Sequence, residues 1–256
     1  MSPRSSTESR KLLRSTTGHR TLAEKAFDRL HQAIIQGEIP PGERLPIEEL
    51  AETLDMSPMP IREALRRLDA AGLVEHVPHR GARVRELSID DLREVYEARL
   101  ALEPLAVAHA AERFGEEDAA RATDALRRHV EAYRRGTPAE AFAAHTEFHF
   151  ALYDAANSRW LTRLITPLWE SSERYRMALP PRYRRALESR RAEHERILAA
   201  CVAHDPLTAA RELHDHLAVT ANSVAHRMGG DEALFALTPQ DGEAPALART
   251  APPRRT

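Results

Sequence analysis

Apolar residues recur at helical spacing over most of the chain and alternate, as in a strand, only within one short window. Leu22, Ala26, Phe27, Leu30, Ala33 and Ile34 mark an amphipathic helix from Leu22 to Gln36, stopped by Gly37. A second short helix spans Ile47 to Leu54. In a third, Ile61, Leu65, Leu68 and Ala71 form one apolar stripe, with Arg62, Arg66 and Asp69 one position behind on a neighbouring polar face. Ser57 is a suitable N-cap, Pro58 fits the first helical position and Gly72 is a stop, so both ends are specified locally. Only Asp55 and Met56 separate this helix's cap from the one before it, which predicts a helix-turn-helix. Leu73–Val77 and Ala82–Arg85 then alternate around Pro78-His79-Arg80-Gly81, adding a β wing.

Beyond Leu87 the strand signal disappears. Ser88 before Ile89-Asp90-Asp91 reads as an N-cap with acids in the first turn, which places a domain boundary at about residue 87. Helical patterns follow over Ile89–Phe114, Glu117–Arg135, Pro138–Ala156, Ser158–Leu179, Tyr183–His204 and Pro206–Met228. Their separators are Gly115, Gly136-Thr137, Asn157, Pro180-Pro181 and Asp205-Pro206. The fold class is therefore mainly α: a winged helix-turn-helix over 21–87, then an all-α bundle of about six helices over 88–229. Pro167 lies inside a helical stretch and is expected to kink or break it. Residues 1–20 and 230–256 read as disordered, the first a basic arm and the second a polar tail.

Composition narrows the setting. The 256 residues carry a net charge of −2, so nucleic-acid binding has to rest on where the arginines sit and not on overall charge. The arm holds Arg4, Arg10, Lys11, Arg14 and Arg20 against Glu8, with no apolar core of a secretory signal. There is no long apolar run, so no membrane span is expected. The single cysteine, Cys201, excludes a disulfide framework, suits a reducing cytosol and reads as a small buried hydrophobe.

Pro41-Gly42-Glu43-Arg44-Leu45, the run Pro60-Ile61-Arg62-Glu63-Ala64-Leu65, and Gly72-Leu73-Val74 ahead of Arg80-Gly81 together resemble the GntR family of bacterial transcription regulators, over about Leu22 to Leu87. The resemblance implies a cytoplasmic, homodimeric protein that binds double-stranded operator DNA. Arg62 and Arg66, one turn apart, would face the major groove, where arginine reads guanine with two hydrogen bonds or neutralises phosphate. Arg44 and Arg80 are expected on the backbone, Ser57 at a phosphate or as a cap, and Gly81 where the chain approaches the DNA closely. A surface charge is the plainer reading of each arginine. Many relatives carry an arginine just after the capping serine; Pro58 stands there in this chain.

Thirteen histidines are many for this length. His145 and His149 lie four apart on one helical face, a spacing that can offer two ligands to one metal, although roughly 0.7 such pairs arise by chance. Tyr96-Glu97-Ala98-Arg99, Leu102-Glu103-Pro104-Leu105-Ala106, Phe148-His149 with Leu152, Glu193-His194 with Ile197-Leu198, and His216 resemble the FCD ligand-binding domain of the FadR subfamily. Metal-binding members of that family use an aspartate or asparagine, a histidine four residues later and one histidine from each of two later helices. The resemblance thus implies His145, His149, His194 and His216 as ligands of a divalent transition metal, zinc or nickel, with His145 replacing the acid. Four neutral imidazoles leave the 2+ charge uncompensated, which favours a small organic acid completing the site. The resemblance places Arg99 on that acid's carboxylate; the plainer reading pairs Arg99 with Glu103, four residues on. Asn222, six residues after His216, is also placed in the effector pocket.

A metalloenzyme is the competing class, since histidines around an open metal position can activate water. Glu147 and Glu193 neighbour candidate ligands, but adjacent helical residues diverge by about 100°, and no phosphate loop or serine nucleophile motif appears. A regulator, most often a repressor in this family, is the better reading; a DNA-binding protein without an effector is the third.

Overall fold

The computed structural model describes residues 21–77, 81–179, 191–230 and 233–238. The arm at 1–20, Arg80 in the wing turn and most of the tail therefore lie outside the described residues. The chain divides into two compact units whose border in the sequence falls between Arg85 and Glu86.

The first unit holds α1 (Leu22–Ile35), β1 (Arg44–Leu45), α2 (Ile47–Thr53), α3 (Pro58–Ala70), β2 (Val74–Val77) and β3 (Gly81–Val84). Thr21 and Glu24 close a reciprocal capping box at the start of α1. The apolar stripes are buried as the spacing predicts: Ala26, Leu30 and Ile34 of α1 and Ile61, Leu65 and Leu68 of α3. The strands pair antiparallel in the order β1-β3-β2, with Val74 opposite Val84 and Arg44 opposite Arg83. Strand β1 has no counterpart in the sequence reading. Two residues carry no period, and Arg44–Leu45 becomes a strand only because β3 supplies its ladder.

The second unit holds α4 (Ile89–Ala111), α5 (Glu116–Arg135), α6 (Pro138–Ala155), α7 (Arg159–Ala178), α8 (Arg191–Val202) and α9 (Pro206–Arg227). Ser88, Ser158 and Asp205 cap α4, α7 and α9 through their side chains. Helix α4 packs against α7 and α9, and α5 against α6. Tyr96, Phe148, Leu152, Ile165, Ile197 and Leu213 are among the largest buried side chains of this core. Cys201 lies within it, and burial pushes its thiol up to about 12.

Two expectations need correction. Helix α7 runs unbroken through Pro167, so of the kink or break expected there the break does not occur. The proline forgoes one backbone bond, but Ile165 and Trp169 on either side are buried, and that packing holds the helix together. The tail is not wholly without structure either, since residues 233–238 dock on α9. Both amide atoms of Asn222 bond the backbone of Phe235, at 2.8 and 3.0 Å, and Asp215 takes the amide and hydroxyl of Thr238 at 2.9 and 2.7 Å.

Candidate functional site

Several core positions of the second unit are filled by ionisable side chains where periodicity alone predicts hydrocarbon. On α4 the buried stripe Leu92, Tyr96, Arg99, Glu103, Val107 carries an arginine and a glutamate. On α7 the stripe Ile165, Trp169 continues into Ser172, Glu173 and Arg176. His145 and His149 project from α6, His194 from α8 and His216 from α9, all four buried. One ligating atom from each of these four lies within 4.8 Å of the others. His145, His149 and His216 line a cavity of about 20 Å³ together with Tyr96, Arg99, Trp169, Glu173 and Arg176, room for one water-sized occupant.

Each charged wall residue has a defined partner. Arg99 donates to both oxygens of Glu103 at 2.6 and 3.1 Å, and to the Ser172 hydroxyl at 2.7 Å. Burial opposes the Arg99 charge, yet the Glu103 carboxylate outweighs it and holds the guanidinium above its ordinary range. Arg176 donates from one nitrogen to Glu173 at 2.6 Å and to Nδ1 of His145 at 3.1 Å. Tyr153 donates to Glu103 at 2.6 Å, and its hydroxyl lies 3.2 Å from Nδ1 of His149. Burial, followed by the Glu103 charge, pushes the Tyr153 phenol well above its usual range. Nδ1 of His216 is 2.8 Å from the Glu193 carboxylate.

The donor set suits a transition metal. Burial first, and then neighbouring positive groups, hold His145 and His149 well below the ordinary imidazole value, so both rings are neutral; the lone pair of His145 at Nδ1 already accepts from Arg176. Nε2 of His149 and Nε2 of His194 are 3.3 Å apart. Neighbouring nitrogens around a tetrahedral ion with bonds of about 2.0–2.1 Å sit roughly 3.3 Å apart. In the same wall Tyr96 Oη, Trp169 Nε1 and Glu173 Oε2 are buried with no hydrogen-bond partner among the described residues. Orphaned polar atoms converging on one cavity are what a polar ligand would satisfy.

The resemblance singled out the four histidines and Arg99; in the structure the four ligating atoms lie within 4.8 Å of one another, and Arg99 lines the cavity with His145, His149 and His216. Asn222 is a correction: it is not in the wall, because its amide is committed to the backbone of Phe235. Trp169, Glu173, Arg176 and Tyr153 were missed. The legible signal was charge at core spacing on α7. His129, also missed, is buried with Nδ1 2.8 Å from the Ala141 carbonyl and its ring 5.2 Å from that of His145, but it stands outside the four.

The first unit presents an open groove between α3 and the wing strands, lined by Met59, Arg62, Arg66, Asp69, His76 and Gly81. Arg62 and Arg66 are exposed there, Arg66 paired to Glu63, while Arg67 instead covers the Phe27 ring at 4.1 Å. Ser57 makes no side-chain cap. The N3 position is Pro60, which has no N–H to give it. Gly81 answers to the fold itself: its φ is +89° and a Cβ would stand 2.5 Å from the Leu45 carbonyl oxygen.

Residues 22–84 match the model of bacterial regulatory proteins of the gntR family, and residues 94–219 match the FCD domain. A probable D-xylose utilisation operon transcriptional repressor of Paenarthrobacter nicotinovorans is 33% identical over 219 residues, 83% of this chain and 93% of that protein. The chain belongs to the GntR family. Within it, the FCD domain places the chain with the FadR-like regulators. The uncharacterised HTH-type regulator BphR of Paraburkholderia xenovorans is 31% identical over 204 residues, 77% of this chain and 83% of the relative. The solved structure of Escherichia coli McbR/YncC superposes with a TM-score of 0.71 at 26% identity, over 82% of this chain and all of that one. These relatives are transcriptional regulators, not enzymes, and so is this GntR protein. No helix among the described residues is long and apolar enough to cross a membrane.

Proposed function

We propose that this GntR regulator is an operator-binding homodimer, acting as a repressor, whose helical unit binds a divalent transition metal and a small carboxylate in the histidine pocket. The observation that carries the reading is four buried imidazoles whose ligating atoms lie within 4.8 Å. Burial of four such rings around a polar cavity costs stability unless something uses their lone pairs. When bound, the metal would supply a positive centre for an anion's oxygens. Arg99 and Arg176 add fixed positive charge to the same wall.

The cavity of about 20 Å³ is too small for an organic acid. An effector therefore enters by displacing wall residues, and that difference in contacts between two states is what coupling to operator affinity needs. In the first unit, Arg62 and Arg66 read or neutralise the major groove, and Arg44, Arg80 and the Ser57 hydroxyl meet phosphate. Gly81 serves the wing's own geometry beside them. The repressor sign agrees with the Paenarthrobacter nicotinovorans relative, a probable transcriptional repressor.

Metal analysis of untagged protein, beside His149→Ala and His194→Ala, tests the reading. About one transition metal per chain, lost in both variants, is the expected result. Protein produced with zinc and nickel supplied that carries neither would refute it, and would turn attention to Arg99 and a metal-free pocket.

A further inference from the structure

Three of the four imidazoles face partners that fix their ring protons, and not all in the same place. The Tyr153 hydroxyl has one proton and gives it to Glu103, so its oxygen accepts from Nδ1–H of His149. Nε2 of His149 is then bare, and it is the atom that faces Nε2 of His194 at 3.3 Å. Nδ1 of His216 likewise donates to the Glu193 carboxylate, which leaves its Nε2 bare. His145 is the reverse case: its Nδ1 lies 3.1 Å from a guanidinium nitrogen of Arg176, and a guanidinium only donates. Nδ1 of His145 therefore accepts, and its ring proton sits on Nε2.

A metal-bound imidazole coordinates through one bare nitrogen and donates the other N–H to an acceptor. His149 and His216 meet that requirement. His145 fails it at both atoms. Coordination through Nε2 would turn an Nδ1–H toward Arg176, and coordination through Nδ1 would displace Arg176 and set two positive groups side by side.

We infer that the metal is held by three imidazoles, His149, His194 and His216, and that His145, fixed by Arg176, is a hydrogen-bond donor to the anion sharing the pocket. The inference rests on the metal reading above. It makes the histidine at the family's acidic position a determinant of anion binding, and leaves more of the metal's coordination sphere open to a carboxylate than a four-histidine site would.

The test uses the full-length protein loaded with Co²⁺, whose absorption spectrum reports its ligands, and azide as a small anion that binds open positions. His145→Ala should keep the parent's Co²⁺ stoichiometry and spectrum and lose no more than about tenfold in metal affinity, the scale of an outer-shell change. Its azide affinity should fall roughly tenfold, the worth of one charge-assisted hydrogen bond. His149→Ala should lose Co²⁺. His145→Gln, which keeps a donor amide, should retain both the metal and part of the azide affinity, and it serves if the alanine variant folds poorly. A His145 variant that loses Co²⁺ or changes its spectrum as His149→Ala does would overturn the three-ligand assignment, and unchanged azide affinity in His145→Ala would remove the donor role. Parent protein that takes up no Co²⁺ would instead refute the metal reading itself.

Discussion

Arg99 is where two readings of one residue meet. It lines the histidine pocket, yet three of its N–H groups are already committed, to Glu103 twice and to Ser172 once. The pair is fully buried, so its net worth is small while the cost of breaking it is large. Glu103→Ala should destabilise the metal-free protein by about 3–5 kcal/mol, because it strands a buried guanidinium; urea unfolding measures this. A loss below about 1 kcal/mol would mean that water reaches Arg99 and that its charge is free for a ligand. Among individual residues, the Arg99–Glu103 spacing was readable as an i,i+4 pair. The Tyr153 link to the same carboxylate was not, because it spans two helices 50 positions apart.

Helix α3 shows how element-level rules can be met in form and altered in substance. Ser57, Pro58 and Pro60 look like a well-specified start, but two prolines among the first three helical residues remove half the donors that a cap or a phosphate would use. Ser57→Ala should therefore change the unfolding free energy by less than about 0.5 kcal/mol, where loss of a working cap costs about 1. Thermal melting checks this, and a full-sized loss would show that the hydroxyl caps Met59 after all. On the DNA side, Arg62→Ala should weaken operator binding and flatten its salt dependence by about one unit of slope if Arg62 meets phosphate, or relax sequence preference at one base if it reads guanine. Helix α7 makes the complementary point: a proline rule that holds for an isolated helix was outweighed by the burial of Ile165 and Trp169.

For the whole molecule, the buried histidines set a pH dependence. Folded, His145 and His149 take up protons only well below 6.5; unfolded, they do so near 6.5. Between those values the unfolded chain binds more protons, so the stability is fully present above pH 6.5 and is lost as pH falls below it. The two sites give a slope of up to about 2.7 kcal/mol per pH unit in metal-free protein. Unfolding at pH 7 and at pH 5.5 in the presence of a chelator measures it, and a flat profile would show the rings to be solvated. The sequence by itself determined the order of the helices, the winged helix-turn-helix and the helical second unit, all written in local period, caps and short motifs; the four histidines were singled out by resemblance to the FCD domain. Only the tertiary structure decided that Glu173, Arg176 and Trp169 join those histidines, that Asn222 holds Phe235 instead of a ligand, and that β1 exists. Each of these depends on which distant surface a side chain or backbone edge meets, and period along one chain segment carries no information about that.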